Sequence, residues 1–248
     1  MKTCWFKISI SCIVYLLFFI STITFSQDSA TNNAFYQKAI GNALAVYHQS
    51  FGNQSAIYNG IKYNEYPFIF TEGDPFFLSP QPAIGFVYYD DIKYDSVLMQ
   101  YDEIKDVVVI NEQGKKIQLH SEKVGSFKLH NAYFVRLLKD SFPGSSISSA
   151  FYNLLYNGKI WLLKKEVKTY REDMDNTKLL RFADQKDYYY IKKAGQIFSI
   201  KNRNDFFNLF DDRKKELRQF IKANKLTFRS NRENTLIMAT AYYDSLKK

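Results

Sequence analysis

Gly85–Leu137 reads GFVYYDDIKYDSVLMQYDEIKDVVVINEQGKKIQLHSEKVGSFKLHNAYFVRL, a series of short apolar runs rich in Val, Ile, Tyr and Phe. Turn formers interrupt it at Asp90-Asp91, Asp102, Asn111-Glu112-Gln113-Gly114, Gly125 and His130-Asn131. Punctuation at intervals of roughly eight to twelve residues predicts a meandering antiparallel sheet. Val107-Val108-Val109-Ile110 is apolar at every position. Side chains alternate between faces along a strand, so both sides of that one must be covered. Lys116–His120 alternates apolar and polar, so one of its faces meets water.

Two further hairpins are expected downstream. Asn157-Gly158 lies between Phe151–Tyr156 and Lys159–Leu163, and Ala194-Gly195 lies between Asp187–Lys192 and Gln196–Lys201. Asn-Gly is the strongest short hairpin signal, because both residues tolerate the positive φ of a type I′ turn. Ile160–Leu163 is apolar throughout, so Trp161 is expected to be buried. The charged stretch Arg171–Lys178 reads as a loop.

Upstream, Phe35, Ala39, Ala43 and Val46 recur at helical spacing within residues 31–49. Four of the five prolines fall between Pro67 and Pro82, an irregular lead-in with room for one edge strand. At the other end, Asn204 or Asp205 is expected to cap a helix to Phe210, and Asp211 or Asp212 a second one to about Asn224. Ser230-Asn231-Arg232-Glu233 has the spacing of a capping box. Beyond it, Leu236, Ala239, Tyr243 and Leu246 form an inward stripe. Strands followed by helices give an α+β fold: an antiparallel meander or partly open barrel, with one N-terminal helix and about three C-terminal helices closing over it. Residues 27–82 form the helix and lead-in, 83–201 the β core and 202–248 the helical segment, all within one domain.

The chain has 248 residues, a formal charge of +9 and two cysteines. Met1–Ser26 has the layout of a secretory signal peptide: Lys2 and Lys7, then the uncharged run Ile8–Ile20, then small residues at Thr24 and Ser26. Thirteen residues are short against the roughly 20 needed to span a bilayer. No transmembrane span is therefore expected once the leader is removed. Cleavage before Gln27 takes Cys4 and Cys12 with it, which excludes disulfides and thiolate chemistry from the mature chain. It also takes two lysines, leaving +7.

Tyr58-Asn59-Gly60, Gly73-Asp74-Pro75-Phe76-Phe77, Tyr101-Asp102, the Phe151–Gly158 hairpin and Tyr242–Leu246 resemble uncharacterised secreted proteins of Bacteroidetes-type bacteria. The resemblance spans most of the mature chain. It implies export to the periplasm or the medium and a shared fold, and it carries no catalytic residues.

The chemical inventory is thin. His48, His120 and His130 lack metal-ligand spacing. If Leu119 pairs with Phe127, His120 and His130 stand about four residues apart along the sheet, roughly 13 Å at 3.3 Å per residue. Gly144-Ser145-Ser146 is not a nucleophile elbow, and no glycine loop cradles a phosphate. No cofactor or nucleic-acid partner is implied. Glu72 with Asp74, or Asp90 with Asp91, could serve a carboxylate-dependent hydrolase acting on an envelope polymer, although Asp-rich turns are also the ordinary way to reverse a strand. Tyr88-Tyr89, Tyr188-Tyr189-Tyr190 and Tyr242-Tyr243 read as packed aromatics. The most suggestive feature is basic. At 100° per residue, Lys214, Arg218, Lys222 and Lys225 fall within about 80° on one helix, beside an apolar stripe of Phe210, Leu217, Phe220 and Ile221. The expectation is a non-enzymatic exported binding or structural protein that uses this face on anionic envelope lipid or polysaccharide.

Overall fold

The computed structural model describes residues 38–42 and 56–246. Residues 38–42 are helical and fall within the predicted N-terminal helix. The rest of that helix, the leader, both cysteines and His48 lie outside the described residues. Residues 56–246 belong to a separate compact unit.

Eleven strands form one antiparallel sheet. They are β1 (Ile61–Lys62), β2 (Ala83–Tyr89), β3 (Ile92–Asp102), β4 (Val107–Glu112), β5 (Lys115–Gln118), β6 (Val124–Leu129), β7 (Ala132–Leu137), β8 (Ala150–Asn157), β9 (Trp161–Asp175), β10 (Lys178–Lys193) and β11 (Gln196–Ile200). The order across the sheet is β1-β5-β4-β3-β2-β6-β7-β8-β9-β10-β11, and it does not close. Turns at residues 90–91, 103–106, 113–114 and 130–131 divide the quoted stretch as its punctuation predicts. Gly125 is inside β6 instead, and the break comes just before it in a 3₁₀ turn over Ser121–Lys123.

One pairing departs from expectation. Phe127 does not pair with Leu119; β6 crosses to the far side of β2, where Phe127 lies opposite Val87. The outer edge of β5 is taken by β1. Pairing with β2 brings Phe127 and Leu129 into the core that Val87, Tyr89 and Met99 already form. Gly85 makes the close approach possible, since a Cβ there would overlap the Lys128 carbonyl of β6.

Val107–Ile110 is buried at all four positions. Val108 and Ile110 join the main core with Tyr101, Phe127, Phe134 and Phe151, where the Phe127 and Phe134 rings stack at 4.7 Å. Val107 and Val109 face the other way, onto Tyr63 and Phe76 of the lead-in. The lead-in thus covers the second face of β4, a role expected of the C-terminal helices.

Those helices cover the other end of the sheet. They are α1 (Arg203–Leu209), α2 (Lys214–Ala223) and α3 (Arg232–Leu246). Leu217, Ile221, Leu236, Ala239 and Tyr243 pack on Leu162, Tyr189, Ile191 and Ile200. Their caps shift by a residue or more. Asn202 caps α1 with Asp205 completing the box, and the Asn231 side chain accepts from Asn234 N–H at the start of α3. Ser230 instead bonds Thr227.

The Asn157-Gly158 turn differs in kind from the predicted one. Neither residue has positive φ, and Asn157 pairs with Trp161 across a three-residue loop. The glycine is needed for proximity. A Cβ would overlap the Asp244 carboxylate of α3 and the Tyr156 ring. That carboxylate accepts from Lys159 N–H (3.0 Å) and Tyr156 O–H (2.9 Å), which pins the hairpin to the helix. Ala194-Gly195, by contrast, has positive φ at both residues, as a two-residue hairpin requires. Trp161 is only partly buried, with the Lys192 ammonium 4.2 Å from its ring centroid.

Arg171–Lys178 is a hairpin arm, not a loop: β9 and β10 stay paired from Trp161–Lys192 to Asp175–Lys178. Its side chains are mostly exposed, so the polar sequence carries no apolar alternation to reveal the strands. Arg181 faces Glu172 at 2.8 Å across the pair. Beyond Lys164, β9 has no β8 partner, and the β3–β4 turn lies against it through Lys165–Asp106 and Lys168–Glu103.

Candidate anion-binding cleft

Lys201–Arg232 contains ten of the chain's basic residues and four acidic ones, an excess of six within a chain whose total is +9. All four acids are engaged. Asp205 accepts from the Lys201 and Asn202 backbone N–H groups. Asp211 pairs with Lys214 at 3.2 Å and Glu216 with Arg213 at 3.1 Å. Asp212 accepts from Tyr243 O–H.

Four of the cations that remain converge. A cleft of about 620 Å³ is lined by Arg203, Arg218, Ile221, Lys222, Leu226, Thr227, Phe228 and Arg229. Arg203 is at the start of α1, Arg218 and Lys222 are one turn apart on α2, and Arg229 is in the link to α3. All four are exposed, and none has an acidic partner among the described residues. The Arg203 and Arg218 guanidinium carbons each lie 5.3 Å from the Phe207 ring centroid. Phe207 is itself buried beneath them. Stacking on a ring orients a guanidinium without using its N–H donors, which stay free for an anion.

Of the four predicted cations, Arg218 and Lys222 line this cleft. Lys214 is one turn away on Asp211. Lys225 follows the end of α2 in a left-handed turn, its N–H bonded to the Lys222 carbonyl. Arg203 and Arg229 were not legible from α2 alone, since they come from other segments. The excess of ten cations over four acids was the available signal. The apolar stripe is committed to packing: Leu217 and Ile221 are buried, and Phe220 stacks on Tyr242 at 4.1 Å. Exposing either aliphatic side chain would cost about 1.5–3 kcal/mol, so α2 presents its charges to solvent and not this stripe.

A second cluster is buried. Lys164 bonds Glu166 (2.5 Å), Glu233 (2.9 Å) and Asp187 (3.0 Å). Burial pulls its ammonium pKa down, but these carboxylates more than offset that and hold it above the ordinary lysine value. Glu233, read from sequence as a capping residue, thus ties α3 to the sheet and also accepts from Tyr189 O–H. Glu103 lies next to Glu166 and accepts from Lys168 at 3.2 Å. One oxygen on each of these two glutamates is buried with no hydrogen-bond partner among the described residues. Burial first, and the Glu166 charge second, push the Glu103 carboxyl up to about 7. One proton shared between the two orphaned oxygens would satisfy both. The side chains are only 1% and 8% exposed, so a polymer cannot reach them.

The other candidates have local roles. Asp74 accepts from Phe76 N–H, and the Glu72 backbone bridges Phe182. Asp90 and Asp91 form the positive-φ turn between β2 and β3, with Asp90 paired to Lys123 at 2.9 Å. His120 approaches Glu122 at 3.6 Å, and His130 occupies the β6–β7 turn. Among the described residues no group of three or more His, Cys, Asp or Glu could hold a metal ion. No described helix is long and apolar enough to cross a membrane. No protein-family model matches the chain, and no curated protein or solved structure matches it at a significant level.

Proposed function

We propose that this is an exported, non-enzymatic binding protein of the cell envelope that docks on anionic lipid through the cleft between α1, α2 and the link to α3. The observation that carries the reading is the set of four exposed cations, Arg203, Arg218, Lys222 and Arg229, without acidic partners among the described residues. The leader-like Met1–Ser26 and the resemblance to secreted Bacteroidetes-type proteins support export. Lipid is favoured over polysaccharide because the half-buried Leu226 and Phe228 share the lining with the cations. An anionic headgroup joined to acyl chains offers both chemistries, whereas an anionic polysaccharide offers chiefly one.

The test is co-sedimentation of the chain from Gln27 onward with phosphatidylcholine vesicles containing anionic lipid, across a salt series. Binding should fall steeply with salt, since surface charges are screened beyond about 8 Å at physiological ionic strength. Each cation near such a surface contributes about 1 kcal/mol. Replacing Arg203, Arg218 and Lys222 together with Gln should therefore cost about 3 kcal/mol. Unchanged binding by the triple variant, or binding to an acidic polysaccharide in preference to every vesicle, would refute the lipid reading.

A further inference from the structure

The reading above needs only charge; the geometry points to something more selective. Resting on that reading, we infer that the cleft is a site for one phosphate monoester group, gripped by the guanidinium pair of Arg203 and Arg218, with Lys222 and Arg229 balancing its charge.

The two guanidinium carbons each lie 5.3 Å from one ring centroid, so they are at most twice that, 10.6 Å, apart. Both lie over the buried Phe207, and neither guanidinium spends a donor on an acid of the described chain. A guanidinium presents its N–H groups as a planar fork that matches two oxygens at once. A carboxylate has two oxygens and so offers a fork only one oxygen–oxygen edge. A phosphate monoester has three terminal oxygens and about −1.5 to −2 charges at neutral pH. It can engage two forks along different edges and still face an ammonium. Four cations with no acid in the lining suit that charge better than the single charge of a phosphodiester. The cleft volume of about 620 Å³ leaves room for the group that bears the phosphate. Leu226 and Phe228 give that group an apolar wall.

Lysine keeps the charge of arginine but not the fork, which separates this inference from the simpler one. The experiment compares the chain from Gln27 onward with its Arg203→Lys/Arg218→Lys variant on two vesicle sets. Both sets are phosphatidylcholine, one with phosphatidic acid (a monoester) and one with phosphatidylglycerol (a diester), matched in surface potential. In parallel, inorganic phosphate and acetate are titrated at constant ionic strength while the arginine Nε–H signals are followed by NMR. The expected result is about tenfold tighter binding to phosphatidic acid, abolished in the lysine variant while salt-dependent binding to both sets persists. Phosphate, and not acetate, should shift two arginine signals. If those signals shift but neither vesicle set binds, the phosphate site stands, its source is a soluble ester, and the lipid reading falls. Equal binding to the two sets with no arginine response to phosphate overturns the inference and leaves only diffuse charge. A preference retained by the lysine variant overturns it as well.

Discussion

Glu103 shows how one carboxyl group can make stability depend on pH. Its folded value lies near 7, above the ordinary glutamate range, because it is buried and faces Glu166. The folded chain therefore binds this proton more tightly than the unfolded chain does. The stability it contributes is fully present below about pH 4.5, the unfolded value, and is lost as pH rises through about 7. A gap of roughly 2.5 pH units corresponds to about 3 kcal/mol, as an order of magnitude. Glu103→Gln supplies a permanent N–H donor toward Glu166 and still offers an oxygen to Lys168. Urea midpoints of the parent chain should decline between pH 5 and 8, while those of Glu103→Gln stay nearly level and are higher at pH 8. Parallel declines in the two proteins would remove Glu103 as the cause. Nothing in the sequence marked this residue, because its partners on β9 are remote along the chain and only the fold brings them together. Arg218 is legible as a cation of α2, but the Phe207 ring it shares with Arg203 is not, because that ring belongs to α1.

At the scale of elements, legibility followed apolar pattern. Val107–Ile110 announced a strand covered on both faces, and Leu236, Ala239 and Tyr243 announced the inner face of α3. Where the pattern is absent the reading failed. The β9–β10 arm is strand because two polar segments pair along their whole length, with Glu172 and Arg181 bonded across it. Exposed strands of this kind resemble loops in composition. The β2–β6 pairing is not legible in the sequence because it joins runs that are remote along the chain, with Gly85 permitting the close approach. Gly158 was identified as a turn glycine, yet its role depends on a carboxylate from α3. That role can be measured. Gly158→Ala should destabilise the chain by about 1–3 kcal/mol, the range for forced overpacking. In an Asp244→Ala background the same change should cost distinctly less, since one of the atoms it meets is gone. Additive costs in the double-mutant cycle would mean that the hairpin and α3 are not coupled there.

For the whole molecule, charge is the unevenly distributed quantity. Over residues 56–200 the nineteen cations are nearly balanced by eighteen acids, some of them directly paired, as in Lys164, Lys165, Lys168, Arg171 and Arg181. The helical cap carries the excess, ten cations against four acids over residues 201–232. A field concentrated at one end orients a protein near an anionic surface, so contact through the cap is the expected outcome. Two observables follow. The association rate with anionic vesicles should fall with salt more steeply for the parent chain than for the variant with Gln at Arg203, Arg218 and Lys222. The location of contact should also be confined. Hydrogen–deuterium exchange of the chain from Gln27 onward, with and without phosphatidylcholine–phosphatidic acid vesicles at low salt, reads that location directly. Slowed exchange is expected in peptides covering Arg203–Arg229, with no change in the arm or in Tyr63–Phe77. Protection of the arm or of Tyr63–Phe77, with Arg203–Arg229 unchanged, would contradict contact through the cap.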